Sequence, residues 1–163
     1  MITGIENLRF LFNIFHDGGI VHYAQKGCDL ELDIEIMYLA ERVNADYRTF
    51  RLTLEKTQLV FETWPKDITA KPARVSAYAQ IFHPELEILG AEIEGDVLNV
   101  ACNQSSVDSD YCGGNLLLRA ESAIVADEGG KSYSIEELQE LCRNYWEDWK
   151  NKKPSPLPQP FCG

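Results

Sequence analysis

The chain has 163 residues, 45% of them hydrophobic and 25% charged, which predicts one globular domain over residues 1 to 150. Its formal net charge of −11 argues against nucleic-acid binding, because phosphates require a positive protein surface. No stretch approaches the ~18 apolar residues that cross a bilayer, and the N-terminus lacks the basic and apolar regions of a secretory signal.

Alternating apolar and polar residues predict several strands in a first unit, over about residues 8 to 63. The predicted strands cover 18 to 24, 28 to 36 and 50 to 54, and another begins at Leu59. Residues 37 to 43 fit either a short helix or a long hairpin excursion.

A second unit is predicted over about residues 79 to 126. The segment from 64 to 79 connects the units, and Pro65 and Pro72 argue against a regular element there. Residues 103 to 114 are polar and predict a loop. The strands of this unit are predicted at 86 to 93, 97 to 102, 116 to 120 and 123 to 126.

The two units match each other in sequence. The triplet Ile14-Phe15-His16 recurs as Ile81-Phe82-His83, each preceded by a polar residue, Asn13 and Gln80. Glycine turns follow at Gly27 and Gly95, and the apolar positions of later strands align in the same parity. The predicted fold class is α+β, mostly β: a duplicated antiparallel unit forming a sandwich or a strongly bent sheet, with one C-terminal amphipathic helix.

A helix is predicted over residues 134 to 150, because Ser134 and Glu137 form a capping box before an apolar stripe. The stripe fits the core, although its Trp146 and Trp149 are also candidates for an interaction surface. Residues 151 to 163 are rich in proline and predict a flexible tail.

His16, Asp17 and His83 are the candidate catalytic residues, since a histidine beside a carboxylate can act as a general base. The alternative is that each histidine holds the turn entering its unit by bonding the backbone. No other motif names a reaction, so the sequence favours a role that is not enzymatic. No cofactor or metal site is predicted, because the chain lacks Cys-x-x-Cys and His-x-x-x-His pairs.

The cysteines predict free thiols in a reducing cytoplasm, because their number is odd and they are too dispersed for a disulfide framework. They are Cys28, Cys102, Cys112, Cys142 and Cys162.

The motif Phe15-His16-Asp17-Gly18-Gly19-Ile20, followed by Asp29-Leu30-Glu31-Leu32, resembles a loose set of small bacterial β-rich proteins. Their common form is F-H-D-x-x-I, a hairpin and a pair of strands, and some look like immunity proteins of polymorphic toxin systems. The resemblance covers about residues 8 to 63, with a weaker echo over 79 to 126. It implies a β-sandwich-like fold and a role as a neutralising partner, and it carries no catalytic residues to transfer.

The acidic composition and this resemblance predict a protein-interaction module that binds a basic partner through an acidic face. Glu31, Asp33 and Glu35 alternate along one predicted strand and are the candidates for that face. The alternative function is a small-molecule-binding protein or an enzyme, with its site at the interface of the two units. Acidity that serves only solubility is a third possibility.

Overall fold

The structure is a computed structural model that describes residues 1 to 152. The predicted tail from residue 153 onward lies outside the described residues. The elements are β1 (Ile2–Thr3), α1 (Ile5–Ile14), β2 (Gly19–Lys26), β3 (Asp29–Glu35), α2 (Met37–Ala40), β4 (Thr49–Glu55), β5 (Gln58–Pro65), β6 (Arg74–Val75), α3 (Tyr78–Ile81), β7 (Leu86–Glu94), β8 (Val97–Gln104), β9 (Tyr111–Arg119), β10 (Ser122–Asp127), β11 (Ser132–Tyr133) and α4 (Ile135–Asn151).

The strands form one antiparallel sheet in the order β1-β10-β4-β3-β2-β7-β8-β9-β5-β6, with β11 paired to β10. The strands of the two halves correspond in chain order, β1 with β6 through β5 with β10. When each strand is replaced by its counterpart, the result is the same strand order read backwards. The pseudo-twofold axis therefore passes between β2 and β7. The last strand of each half is exchanged, because β5 pairs with β9 and β10 pairs with β4.

This exchange forces the sheet to bend strongly. Glu55 ends β4 and Gln58 begins β5, so their Cα atoms are at most about 11 Å apart. A flat sheet would separate these two strands by six strand spacings, about 29 Å. The same holds for β9 and β10, which are joined by the turn after Arg119. The predicted fold class is thus confirmed: mostly antiparallel β, strongly bent, with one C-terminal helix.

The apolar faces of the two halves meet in one core. Every second residue of β3, β4 and β8 is buried, as the alternating sequence predicts, and β9 follows the same alternation from Gly114 onward. Helix α1 adds Leu8, Leu11 and Phe12 to this core. The remaining face of the sheet, here called the outer face, carries the polar residues of each strand.

The two halves share turns and register. Gly27 and Gly95, 68 positions apart, both have a positive φ, 62° and 64°, in the two-residue turns that follow β2 and β7. Each of these strands also carries a β-bulge, at Val21 and Leu89, again 68 positions apart. Equivalent cross-strand pairs are Leu30–Leu54 with Leu98–Leu118, and Leu32–Leu52 with Val100–Leu116.

The predicted C-terminal helix is present, and Ser134 and Glu137 form its capping box. Ser134 Oγ accepts from the Glu137 amide at 3.1 Å, and the Glu137 carboxylate accepts from the Ser134 amide at 2.8 Å. Over residues 1 to 152, no helix is long and apolar enough to cross a membrane.

Several elements differ from the sequence predictions. Helix α1 was not anticipated, although Leu8, Leu11, Phe12 and Phe15 have helical spacing and are buried. The connection from 64 to 79 contains β6 and α3, despite its prolines. Half of the predicted loop from 103 to 114 is strand, at 103 to 104 and 111 to 114, because β8 and β9 extend beyond their apolar segments by pairing with neighbours.

Candidate functional site

The structure places the candidate catalytic residues at the entrances to the two units. His16 follows α1, and its Nδ1 lies 2.8 Å from the carbonyl oxygen of Asn13. Its Nε2 lies 3.7 Å from Asp17 Oδ2. His83 is exposed and makes no hydrogen bond or ion pair within the part of the chain that the structure describes. His16 therefore bonds the backbone as the structural alternative predicts, whereas His83 does not.

Two of the three predicted interface carboxylates are neutralised within the chain. Glu31 forms an ion pair with Lys26 at 2.9 Å. Asp33 accepts two hydrogen bonds from Arg51, at 2.9 and 3.2 Å, which raise the pKa of that guanidinium above its usual value. Glu35 is exposed and is the member of the predicted trio without a cationic partner among residues 1 to 152.

Arg51, Asp33 and His22 form a charged cluster on the outer face of the first half. They lie on neighbouring strands and are direct cross-strand partners. His22 Nδ1 is 3.6 Å from Asp33 Oδ2. Beside this cluster an open groove of about 410 Å³ continues to Asp127 and Glu128.

A groove in the second half has Glu92 as the one charged residue of its lining. It has a volume of about 380 Å³ and is lined by amides, among them Asn13, Asn99 and Asn115. By the offsets between the halves, Ala101 occupies the place of Asp33 and Asn115 that of Arg51. The two halves therefore share backbone geometry and differ in charge.

The unneutralised acidic residues converge at the centre of the outer face, where the halves meet. Gly19 of β2 pairs with Glu35 on one side and with Glu87 on the other. A Cβ atom on Gly19 would lie 2.7 Å from Glu85 Oε1, so the Glu85 carboxylate covers the glycine between these two residues. Glu35, Glu85 and Glu87 are here called the junction carboxylates.

The junction carboxylates have no cation to balance them. In the described part of the chain, no Lys, Arg or His nitrogen lies within 4.0 Å of any of the three. The sequence explains part of this, because residues 75 to 118 contain neither lysine nor arginine. The same segment carries the acidic residues Glu85, Glu87, Glu92, Glu94, Asp96, Asp108 and Asp110. This run without a cation was the signal that the sequence analysis missed.

Two of the junction carboxylates, Glu85 and Glu87, border a small polar cavity of about 160 Å³. Asn103 and Gln104 line it together with Glu85 and Glu87. Among residues 1 to 152, no group of three or more His, Cys, Asp or Glu side chains is arranged to hold a metal ion. The arrangement can instead accept hydrogen bonds and balance positive charge, as an exposed row of carboxylates does.

Helix α4 carries a second candidate surface. Its first half is core, since Ile135 and Leu138 are buried. Trp146 and Trp149 are 43% and 60% exposed, so the core interpretation is wrong for these two residues. Trp146 packs edge-to-face against Tyr145 on one side and Trp149 on the other, with the Trp146 and Trp149 ring centroids 6.1 Å apart. Their role in an interaction remains a prediction.

Comparison of the chain with protein-family models, with curated proteins and with solved structures found no match.

Proposed function

We propose that this chain is a protein-interaction module that binds a basic partner through the junction carboxylates. The observation that carries the proposal is the grouping of Glu35, Glu85 and Glu87 around Gly19 without a neutralising cation. Glu35 and Glu87 flank β2 from opposite sides, and like charges grouped without a cation repel one another; elsewhere this chain pairs such residues, as in Asp33 with Arg51. A lysine or arginine of a partner would relieve the repulsion on binding.

An immunity-like role is the specific form of this proposal. The resemblance of residues 8 to 63 to immunity-protein-like β-rich proteins supports it, as does the net charge of −11, which would steer a basic target protein toward the chain. We place the interaction in the cytoplasm, because Cys28, Cys102, Cys112 and Cys142 are free thiols, as proteins of a reducing compartment have.

The experiment compares three baits in affinity capture from lysate of the native host, read by mass spectrometry. The first is the wild-type chain, and the second carries glutamine at all three junction carboxylates. The matched control carries Glu41→Gln, Glu136→Gln and Glu147→Gln, which remove the same charge from exposed positions, one just after α2 and two on α4.

We expect one stoichiometric basic protein on the wild-type and control baits, and its loss from the junction variant. With the purified partner, the junction variant should associate on the order of tenfold more slowly at low salt, and the difference should shrink as salt screens the charges. Equal capture by the junction variant and the control would contradict the proposal.

A further inference from the structure

The seam between the two halves is short, and it leaves two strand edges open. Strands β2 and β7 pair only through Gly19–Glu87 and Ile20–Leu86. Each strand then bulges, exposing Val21 and Leu89, and the two strands separate. Beyond the bulges, the edge of each strand that faced the seam has no strand beside it.

In the second half, a side chain takes the place of the missing strand. The Asn13 carboxamide at the end of α1 accepts from the Ala91 amide at 2.8 Å and donates to the Ala91 carbonyl at 3.1 Å. These are the two bonds that an antiparallel neighbour makes to one residue of an edge strand. At Ala91 the open edge of β7 is therefore satisfied by α1.

The equivalent edge of β2 has no such partner. Tyr23 corresponds to Ala91 by the 68-residue offset of the turns and bulges. Lys26 and Asp29 flank the two-residue turn and form a hydrogen-bonded pair, so alternation directs the N–H and C=O groups of Tyr23 and Gln25 away from β3. Within residues 1 to 152, neither residue's backbone has a partner on that side.

The residue in the place of Asn13 does not reach this edge. Gln80 precedes the repeated triplet as Asn13 does, but it lies on α3, which is a single turn, and it is exposed. Beside the edge lies a groove of about 370 Å³, lined by Ile20, Val21, His22, Tyr23 and Phe82. The Tyr23 and Phe82 rings stack at 5.1 Å and form an apolar wall.

We propose that the open edge of β2 is a strand-addition site, which receives an extended segment of the basic partner. The proposal rests on the proposed function. On β7, the Asn13 carboxamide provides one donor and one acceptor opposite Ala91, and the edge of β2 lacks both. Strand addition supplies both from backbone, and alternate side chains of the added strand project to the outer face. Gly19 lies between the junction carboxylates and two residues before the bulge of β2. Lysines or arginines on the outer face of the added strand, at its end nearest Gly19, would therefore meet the negative charge of these carboxylates.

Hydrogen exchange tests the geometry on the full chain. The amides of Tyr23 and Gln25 should exchange with solvent much faster than those of His22 and Ala24, which pair with β3. The amide of Ala91 should be protected by Asn13. Equal protection of the Tyr23 and Ala91 amides would overturn the proposal.

Binding is tested with the octapeptide acetyl-(Lys-Val)₄-amide, followed by fluorescence anisotropy and ¹⁵N NMR. Binding should protect the Tyr23 and Gln25 amides from exchange. Two N-methylated versions block opposite edges of the peptide, one methylated at every lysine and the other at every valine. One of them should bind at least about tenfold more weakly than the other, because only one edge pairs with β2. Equal affinities, or no binding at 1 mM peptide, would overturn the proposal.

The matched protein variants are Gln25→Pro and Gln25→Ala. Proline removes the outward N–H without touching the bonds to β3, and alanine keeps it. Proline should weaken peptide binding at least about tenfold and alanine less than about twofold. If the proline variant does not fold, which circular dichroism would reveal, the comparison of the two N-methylated peptides on the wild-type chain still tests the strand-addition site.

The two proposals fail in distinguishable ways. Peptide binding that survives Gln25→Pro but is lost in the junction variant would overturn the strand-addition site and support the proposed function. Binding that is lost with Gln25→Pro but unchanged in the junction variant would support strand addition and contradict the role of the carboxylates.

Discussion

Replacing Asn13 with alanine removes both hydrogen bonds between α1 and the open edge of β7. Ala91, which receives them, is 6% exposed, so its amide and carbonyl groups would lose their partners in a place that water reaches poorly. Each bond contributes about 1 kcal/mol net, and an unpaired buried group costs more. We therefore expect the free energy of unfolding to fall by about 2 to 3 kcal/mol.

Urea denaturation followed by tryptophan fluorescence measures this change. With a slope of roughly 2 kcal/mol per molar urea, the midpoint should fall by about 1 to 1.5 M at an unchanged slope. The matched control is Gln80→Ala, because Gln80 holds the equivalent place and is exposed. Its effect should stay within about 0.5 kcal/mol. Equal effects of the two substitutions would refute the difference between the edges of β2 and β7.

Two further predictions concern packing and pH. Gly114→Ala should destabilise the fold by about 1 to 3 kcal/mol, because its Cβ would lie 2.4 Å from the Glu62 carbonyl oxygen and 2.5 Å from the Phe61 ring. In urea denaturation, the control Gly90→Ala, whose nearest contact is 3.4 Å, should change the free energy of unfolding by less than about 0.5 kcal/mol. Burial, and then nearby negative charges, raise the pKa of Tyr38 from 10.0 to about 12, so the folded state favours the neutral phenol. Stability from this group is complete below pH 10 and is lost as the pH rises toward 12, and Tyr38→Phe should flatten the alkaline part of the stability curve. An alkaline slope that Tyr38→Phe leaves unchanged would contradict this assignment.

The sequence predicted elements whose signals are local. Alternation of apolar and polar residues identified the buried faces of the strands. Gly27 and Gly95 marked two turns, because these turns need a positive φ that glycine adopts readily. The capping box at Ser134 and Glu137 fixed the start of α4. Each of these signals lies within a few residues and needs no knowledge of the rest of the fold.

The remaining features depend on pairing between distant segments. Residues 103 to 114 are polar, and pairing with neighbours in the sheet makes half of them strand. Glu31 and Asp33 were candidates for an acidic face because a sequence does not show that Lys26 and Arg51 neutralise them. The junction carboxylates come from β3, β7 and the residue before β7, and only the seam brings them together.

The exchanged strands tie the two halves together, so side chains in one half compensate for those in the other. Phe50 and Val125 belong to the first half of the sheet, and their counterparts in the second half are Gly114 and Phe61. The large residue lies on β4 in one half and on β5 in the other, and Gly114 leaves the space that the Phe61 ring fills. A phenylalanine ring therefore fills this part of the core in both halves, although different strands supply it.

The outer face and the open edges show no such compensation. The groove beside Asp33 and Arg51 carries charges of both signs, whereas the groove of the second half carries only that of Glu92. One edge is bonded by Asn13 while its equivalent is open. Packing explains the features that the halves share, because both must bury the same core. The differences do nothing for the core, and the unneutralised carboxylates work against stability. This is why the open edge of β2 and the adjoining junction carboxylates are the places where a partner should be sought.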